Sequence, residues 1–152
     1  MVLIYGEHNS GKSSKALSLA KKHSPNVLYL SLDNDQSVKS IAEKNNIEWK
    51  YIKNCFLIDI EFSIVGRSFD TIVIDGLNFI QLVENISHEF NLRHIIKSLE
   101  YLHHTYDVQI IATFNTLRCV DRMKPSVVSI FSDKKDWSLI ETEFKKVKQQ
   151  VL

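Results

Sequence analysis

Residues 6–13 read "GEHNSGKS" and follow directly on the apolar run "VLIY" (2–5). No other stretch constrains the fold so tightly. The run has the pattern of a short strand buried on both faces. From Gly11 to about Lys22, the residues Ala16, Leu17, Leu19 and Ala20 give a helical apolar face, and Pro25 bars continuation. The spacing G-x-x-x-x-G-K-[ST] thus falls between a predicted strand and a predicted helix, the setting in which it forms a phosphate-binding loop. Gly6 and Gly11 allow the tight turn and the close backbone approach. Successive N–H groups and the helix amino end then supply fixed positive potential. Lys12 is the cation for the β- and γ-phosphates, and the Ser13 hydroxyl suits magnesium, which prefers oxygen ligands. The candidate nucleotide-binding set is Gly6, Glu7, His8, Asn9, Ser10, Gly11, Lys12, Ser13 and Ser14. The His8 side chain reads as an exposed loop group with no assigned role.

Further along, "NVLYLSL" (26–32) and "TIVID" (71–75) read as buried strands, and "EWKYIKN" (48–54) alternates like a strand nearer an edge. Asp35 is a helix-start signal before Val38, Ile41 and Ala42. The clearest helix spans roughly 91–104, with Leu92, Ile95, Ile96, Leu99 and Leu102 at three- and four-residue steps. It leads into the strand "VQIIATF" (108–114). The tail segments "SVVSIF" and "WSLIETEF" flank "SDKKD" and predict a C-terminal antiparallel hairpin. Strands alternating with helices specify an α/β fold, a mostly parallel central sheet flanked by helices. Ligands in such sheets bind at the carboxyl ends of the strands. Gly6, Asp33, Asp75 and Asn115 all fall at or just beyond those ends.

A phosphate-loop enzyme needs a carboxylate on a neighbouring strand to hold magnesium, and Asp75 ends a buried apolar strand. The alternative for Asp75 is a cap on the next loop. Hydrolysis also needs a group that positions water. Gly76 follows Asp75, so that group must come from elsewhere, and Asp33 is the first candidate. Asp35 is better suited to capping the following helix.

The 152 residues are 44% hydrophobic and match one domain, so residues 1–152 are expected to form a single unit. A formal charge of +1 excludes a protein that coats nucleic acid by bulk charge, leaving any basic surface local. Cys55 and Cys119 lack zinc or disulfide spacing and read as buried, reduced thiols. No signal-peptide or membrane-spanning run is present, so an intracellular site (cytoplasm or nucleus) and no membrane partner are expected.

With these residues in hand, the chain resembles the RecA superfamily, most closely the ATPase core of RadA and RadB recombinases, DnaB-type helicases and KaiC-like proteins. "VLIYGEHNSGKSSKALSLA" looks like the opening strand, phosphate loop and helix of that family. "VLYLSLD" is similar to the strand before its catalytic acid, and "TIVIDGLNFI" to its magnesium-acid strand. "LRHIIKSLEYLHHTYDVQIIATFN" resembles the helix and strand leading to its γ-phosphate sensor. The resemblance implies a RecA-like P-loop NTPase fold, ATP and Mg2+ as cofactors, and a catalytic set of Lys12, Asp33 and Asn115. It departs from the family at two places. Asp33 stands where Glu is usual, and Phe114-Asn115 where glutamine is usual, which together imply weak intrinsic turnover.

The same resemblance implies sites shared between subunits, hence a homo-oligomer or a complex with another RecA-like protein. Lys146 and Lys148 in "FKKVKQ" are then the trans-acting candidates, with a solvated charge run as the alternative. Arg118, Arg122 and Lys124 in "NTLRCVDRMKPS" are the candidate DNA contacts, through phosphates rather than bases. The expected function is a minimal RecA-like ATPase serving as a recombinase paralogue or as an accessory factor in DNA recombination and repair. Two rivals stand beside it, a nucleoside or nucleotide kinase and a nucleotide-holding scaffold without turnover. Against the kinase are the absence of an arginine-rich lid and the Gly76 that follows the metal acid.

Overall fold

The computed structural model describes residues 1–6, 10–81, 88–115 and 128–131. Along the chain run β1 (Val2–Gly6), α1 (Lys12–His23), β2 (Val27–Ser31), α2 (Gln36–Lys44), β3 (Glu48–Tyr51) and α3 (Leu57–Ile64). They are followed by β4 (Thr71–Asp75), a 3-10 turn (Leu77–Phe79), α4 (His88–Thr105), β5 (Gln109–Asn115) and β6 (Val128–Phe131). The strands form one sheet in the order β3-β2-β4-β5-β1-β6, and every neighbouring pair is parallel.

Alternation along the strands divides the core in two. Leu3, Leu28, Leu30, Ile72, Ile74, Ile110 and Ala112 point to one face, where Ile60 and Ile64 of α3 and Ile95, Leu99 and Leu102 of α4 cover them. Val2, Ile4, Tyr29, Val73 and Ile111 point to the other, under Ala16, Leu17 and Ala20 of α1 and Val38 and Ala42 of α2. The result is a sheet with helices on both faces, as the apolar runs predict. Replacing a fully buried residue such as Leu99 with alanine costs about 2–5 kcal/mol in sites of this kind.

Local chemistry sets the helix ends. Gly11 precedes α1 with φ of 83°, in the left-handed region open to glycine, and Lys21, Lys22 and His23 lie at the negative end of the helix dipole. Asp35 caps α2, its Oδ1 accepting from the Ser37 N–H at 2.9 Å and the Val38 N–H at 3.4 Å. At α3 the carboxylate of Asp59 reaches back to accept from the Phe56 N–H at 2.8 Å.

Two further expectations meet the structure here. β3 is an edge strand, as its alternation predicts. Of the segments expected to form the C-terminal hairpin, "SVVSIF" contains β6, which pairs parallel with β1 through Val2 and Val128. Its expected partner, "WSLIETEF", lies outside the described residues. The sequence reading contains no α3 at all.

Candidate functional site

Because the strands are parallel, the carboxyl ends of β1, β2, β4 and β5 all reach the same edge of the sheet. Gly6 is registered with Asn115, and Ser31 with Asp75. β5 lies between β1 and β4, so Thr113, registered with Ile4, sits between the phosphate loop and the acid strand. The cleft at this edge encloses about 430 Å3, and Lys12, Ser13, Asp33, Asp75, Phe79 and Thr113 are among the residues lining it.

Asp75 lies at the centre, 2% exposed. Its Oδ1 accepts from the Ser13 hydroxyl at 2.9 Å and the Thr113 hydroxyl at 2.5 Å, and its Oδ2 accepts from the Tyr29 hydroxyl at 2.6 Å. Thr113 in turn accepts from the Gly76 N–H at 2.9 Å. These donors are all neutral, so they hold the carboxylate in place and leave its negative charge to act on a cation. Burial, followed by the Asp75 charge, pushes the Tyr29 pKa up, which keeps the phenol a proton donor.

Lys12 is 6% exposed, its Nζ 3.4 Å from Ser10 Oγ. The Lys12 ammonium lies at the amino end of α1, where its charge and the positive end of the helix dipole both favour an anion in the cleft. Gly11, at the amino end of α1, has no side chain with which to cap it, and no acidic residue stands in the first turn. The cleft therefore fits a phosphate group. The pairing of the Ser13 hydroxyl with the Asp75 carboxylate fits magnesium, which takes few protein oxygens and keeps its waters. Among the described residues no group of three or more His, Cys, Asp or Glu side chains could cage a metal.

Asp33 lies on the cleft wall and accepts from the Ser31 hydroxyl at 3.2 Å. Ser31 Oγ also accepts from the Asp35 N–H at 3.3 Å, so the bend after β2 is tied to both acids. Partial burial, and then the charge of Asp75, push the Asp33 pKa up. Its side chain remains solvent-exposed, which tempers both effects.

The structure brings together Gly6, Ser10, Gly11, Lys12, Ser13, Ser14, Asp33 and Asp75, together with the backbone of Asn115. Glu7, His8, Asn9, Arg118, Arg122, Lys124, Lys146 and Lys148 lie outside the described residues. Tyr29 and Thr113 are the site residues that the sequence reading misses. The available signal was a hydroxyl inside each of the apolar runs "VLYLS" and "IIATF".

A phosphate loop on a parallel sheet, with a buried acid two strands away, defines a P-loop NTPase. Residues 1–83, more than half of the 152, match the AAA domain family, and the chain belongs to that family. The fold is similar to that of a solved DnaB-like replicative helicase, described with its interactions with primase, at a TM-score of 0.51 and 18% identity. The match covers 82% of this chain and 40% of the helicase chain, so the chain spans well under half of that protein. No curated protein sequence matches. Among the described residues no helix is long and apolar enough to cross a membrane.

Proposed function

We propose that residues 1–152 form one RecA-like ATPase domain that binds Mg-ATP in this cleft and turns it over slowly. The observation that carries the reading is the Ser13–Asp75 hydrogen bond, which joins the phosphate loop to the acid strand through a pair of oxygen ligands suited to magnesium. The amides of Ser10–Ser14 and the start of α1 receive the phosphates, and Lys12 neutralises the β- and γ-oxygens. Ser13 and Asp75 hold the metal, which when bound offsets charge on the phosphates. Asp33 accepts a hydrogen bond from the attacking water and orients it. Thr113 and Tyr29 keep Asp75 in place. Asp33 is short and exposed, so its hold on the water is loose, and this accounts for slow turnover.

The proposed role is that of a recombinase paralogue or accessory factor in DNA recombination and repair, within a homo-oligomer or with another RecA-like protein. Asn115 is the proposed γ-phosphate sensor, Lys146 and Lys148 the residues reaching into a neighbouring site, and Arg118, Arg122 and Lys124 the DNA contacts. The AAA family match and the helicase-like fold support the ATPase part of this reading.

A second reading, a nucleoside kinase, draws on Phe79. Its ring is 49% exposed on the cleft wall, where a nucleobase could stack. Incubation with labelled ATP, alone, with single-stranded DNA or with nucleosides, separates the two. Phosphate release stimulated by DNA is the expected result. Phosphorylated nucleoside would favour the kinase, and binding without any product would leave only a nucleotide-holding scaffold.

A further inference from the structure

Tyr29 stands in the middle of β2 and is completely buried, its ring in the core layer that also holds Ala16, Val73 and Ile111. A tyrosine at this depth needs a partner for its hydroxyl, and the partner here is a carboxylate oxygen at 2.6 Å rather than a backbone carbonyl. The three hydroxyls around Asp75 divide its oxygens unequally. Ser13 and Thr113 both bond to Oδ1, from the sides of α1 and β5, while Tyr29 is the hydroxyl on Oδ2, from β2. Oδ1 is thus the oxygen that accepts from the Ser13 hydroxyl, and the Tyr29 hydroxyl, on Oδ2, lies within reach of Ser13 as well. The ring is locked by packing on both sides, so its hydroxyl is a fixed point against which the carboxylate plane is set.

We infer that Tyr29 is a positioning residue of the magnesium site, its hydroxyl tying down Asp75 Oδ2 so that Oδ1 stays beside Ser13 for the cation. The inference rests on the Mg-nucleotide reading of the cleft. Without the phenol, Oδ2 is a buried anionic oxygen lacking its donor, and the carboxylate turns to recover one, taking Oδ1 away from Ser13. The cation then loses the preset pair. The phosphate loop, which touches the nucleotide through Lys12 and backbone amides, keeps its own geometry.

The test is Tyr29→Phe, which retains the ring and its packing and deletes one oxygen. Nucleotide affinity is measured by calorimetry with ADP, first in EDTA and then across a magnesium titration. The EDTA measurement shows whether the variant is folded with an intact phosphate loop, and there the affinity should equal that of the unmodified protein. The magnesium concentration giving half of the metal-dependent gain in affinity should rise about tenfold. An unchanged or lower half-point, with or without a drop in melting temperature, would mean that Tyr29 is core packing alone and would overturn the inference. Combining the change with Asp75→Asn tests the route. The double variant should show no further loss beyond Asp75→Asn, whereas additive losses would overturn an action through Asp75. If the unmodified protein shows no magnesium-dependent gain at all, the Mg-nucleotide reading itself fails, and that outcome is distinct from the failure of Tyr29→Phe alone.

Discussion

Ser13 and Asp75 are 62 residues apart in the chain, and the Ser13 hydroxyl donates to Asp75 Oδ1 at 2.9 Å. The contact exists because β5 inserts between β1 and β4, leaving a gap that the first turn of α1 spans from above. The proposed phosphate-binding loop and the proposed metal acid are thereby set side by side. Preorganisation of this kind lets the site stabilise charge without rearranging at the moment of reaction.

Gly76 couples this site to the cleft wall. Its φ is 98°, and a Cβ there would stand 2.9 Å from Phe79 Cδ2. Gly76→Ala should therefore destabilise the fold by about 1–2 kcal/mol from backbone strain, with an added loss from displacing the Phe79 ring. Gly66→Ala is the comparison, since its φ is 71° but nothing lies within 4 Å of the added carbon. Urea denaturation of both variants should show the larger loss at Gly76.

Asp33 carries a pH signature. Its pKa is raised in the folded protein, so the folded state takes up the proton more readily than the unfolded chain. Ionised Asp33 thus costs stability at neutral pH, and the cost disappears as the pH falls below its folded pKa. Asp33→Asn should melt higher than the unmodified protein at pH 7, with the difference closing on acidification. The same variant should keep ATP affinity and lose phosphate release. A difference in melting temperature that widens toward acid would contradict the assignment.

Cys55 is 1% exposed, and burial, followed by the nearby Asp59 charge, pushes its pKa up to about 12. The thiolate that reacts with alkylating reagents is scarce under those conditions. Iodoacetamide at pH 8 should leave Cys55 unmodified in the folded protein and label it fully in denaturant, as read by peptide mass spectrometry.

The legible parts of this chain were those where one kind of residue dominates a short window. β1, β2, β4 and β5 are uninterrupted apolar runs because helices cover them on both faces, and α4 shows three- and four-residue spacing because one of its faces is wet. α3, "LIDIEFSI", escaped for the opposite reason. Its apolar residues lie all around the helix, with Ile60 and Ile64 buried while Ile58 and Phe62 are exposed, so it has no polar face to betray its period. In the site, Lys12, Ser13 and Asp75 were readable because a motif or a strand end marks them. Tyr29 and Thr113 were not, since a hydroxyl inside a buried strand looks like ordinary core until the fold shows which acid it faces.

The central claim is that the loop before α1 holds the phosphates of a nucleotide, with the buried Lys12 supplying the cation. Isothermal titration of Mg-ATP into the unmodified protein and into Lys12→Ala tests this most directly. Loss of charge-assisted bonds to the β- and γ-oxygens should weaken binding about a hundredfold, or about 3 kcal/mol. Affinity unchanged to within about twofold would contradict the account.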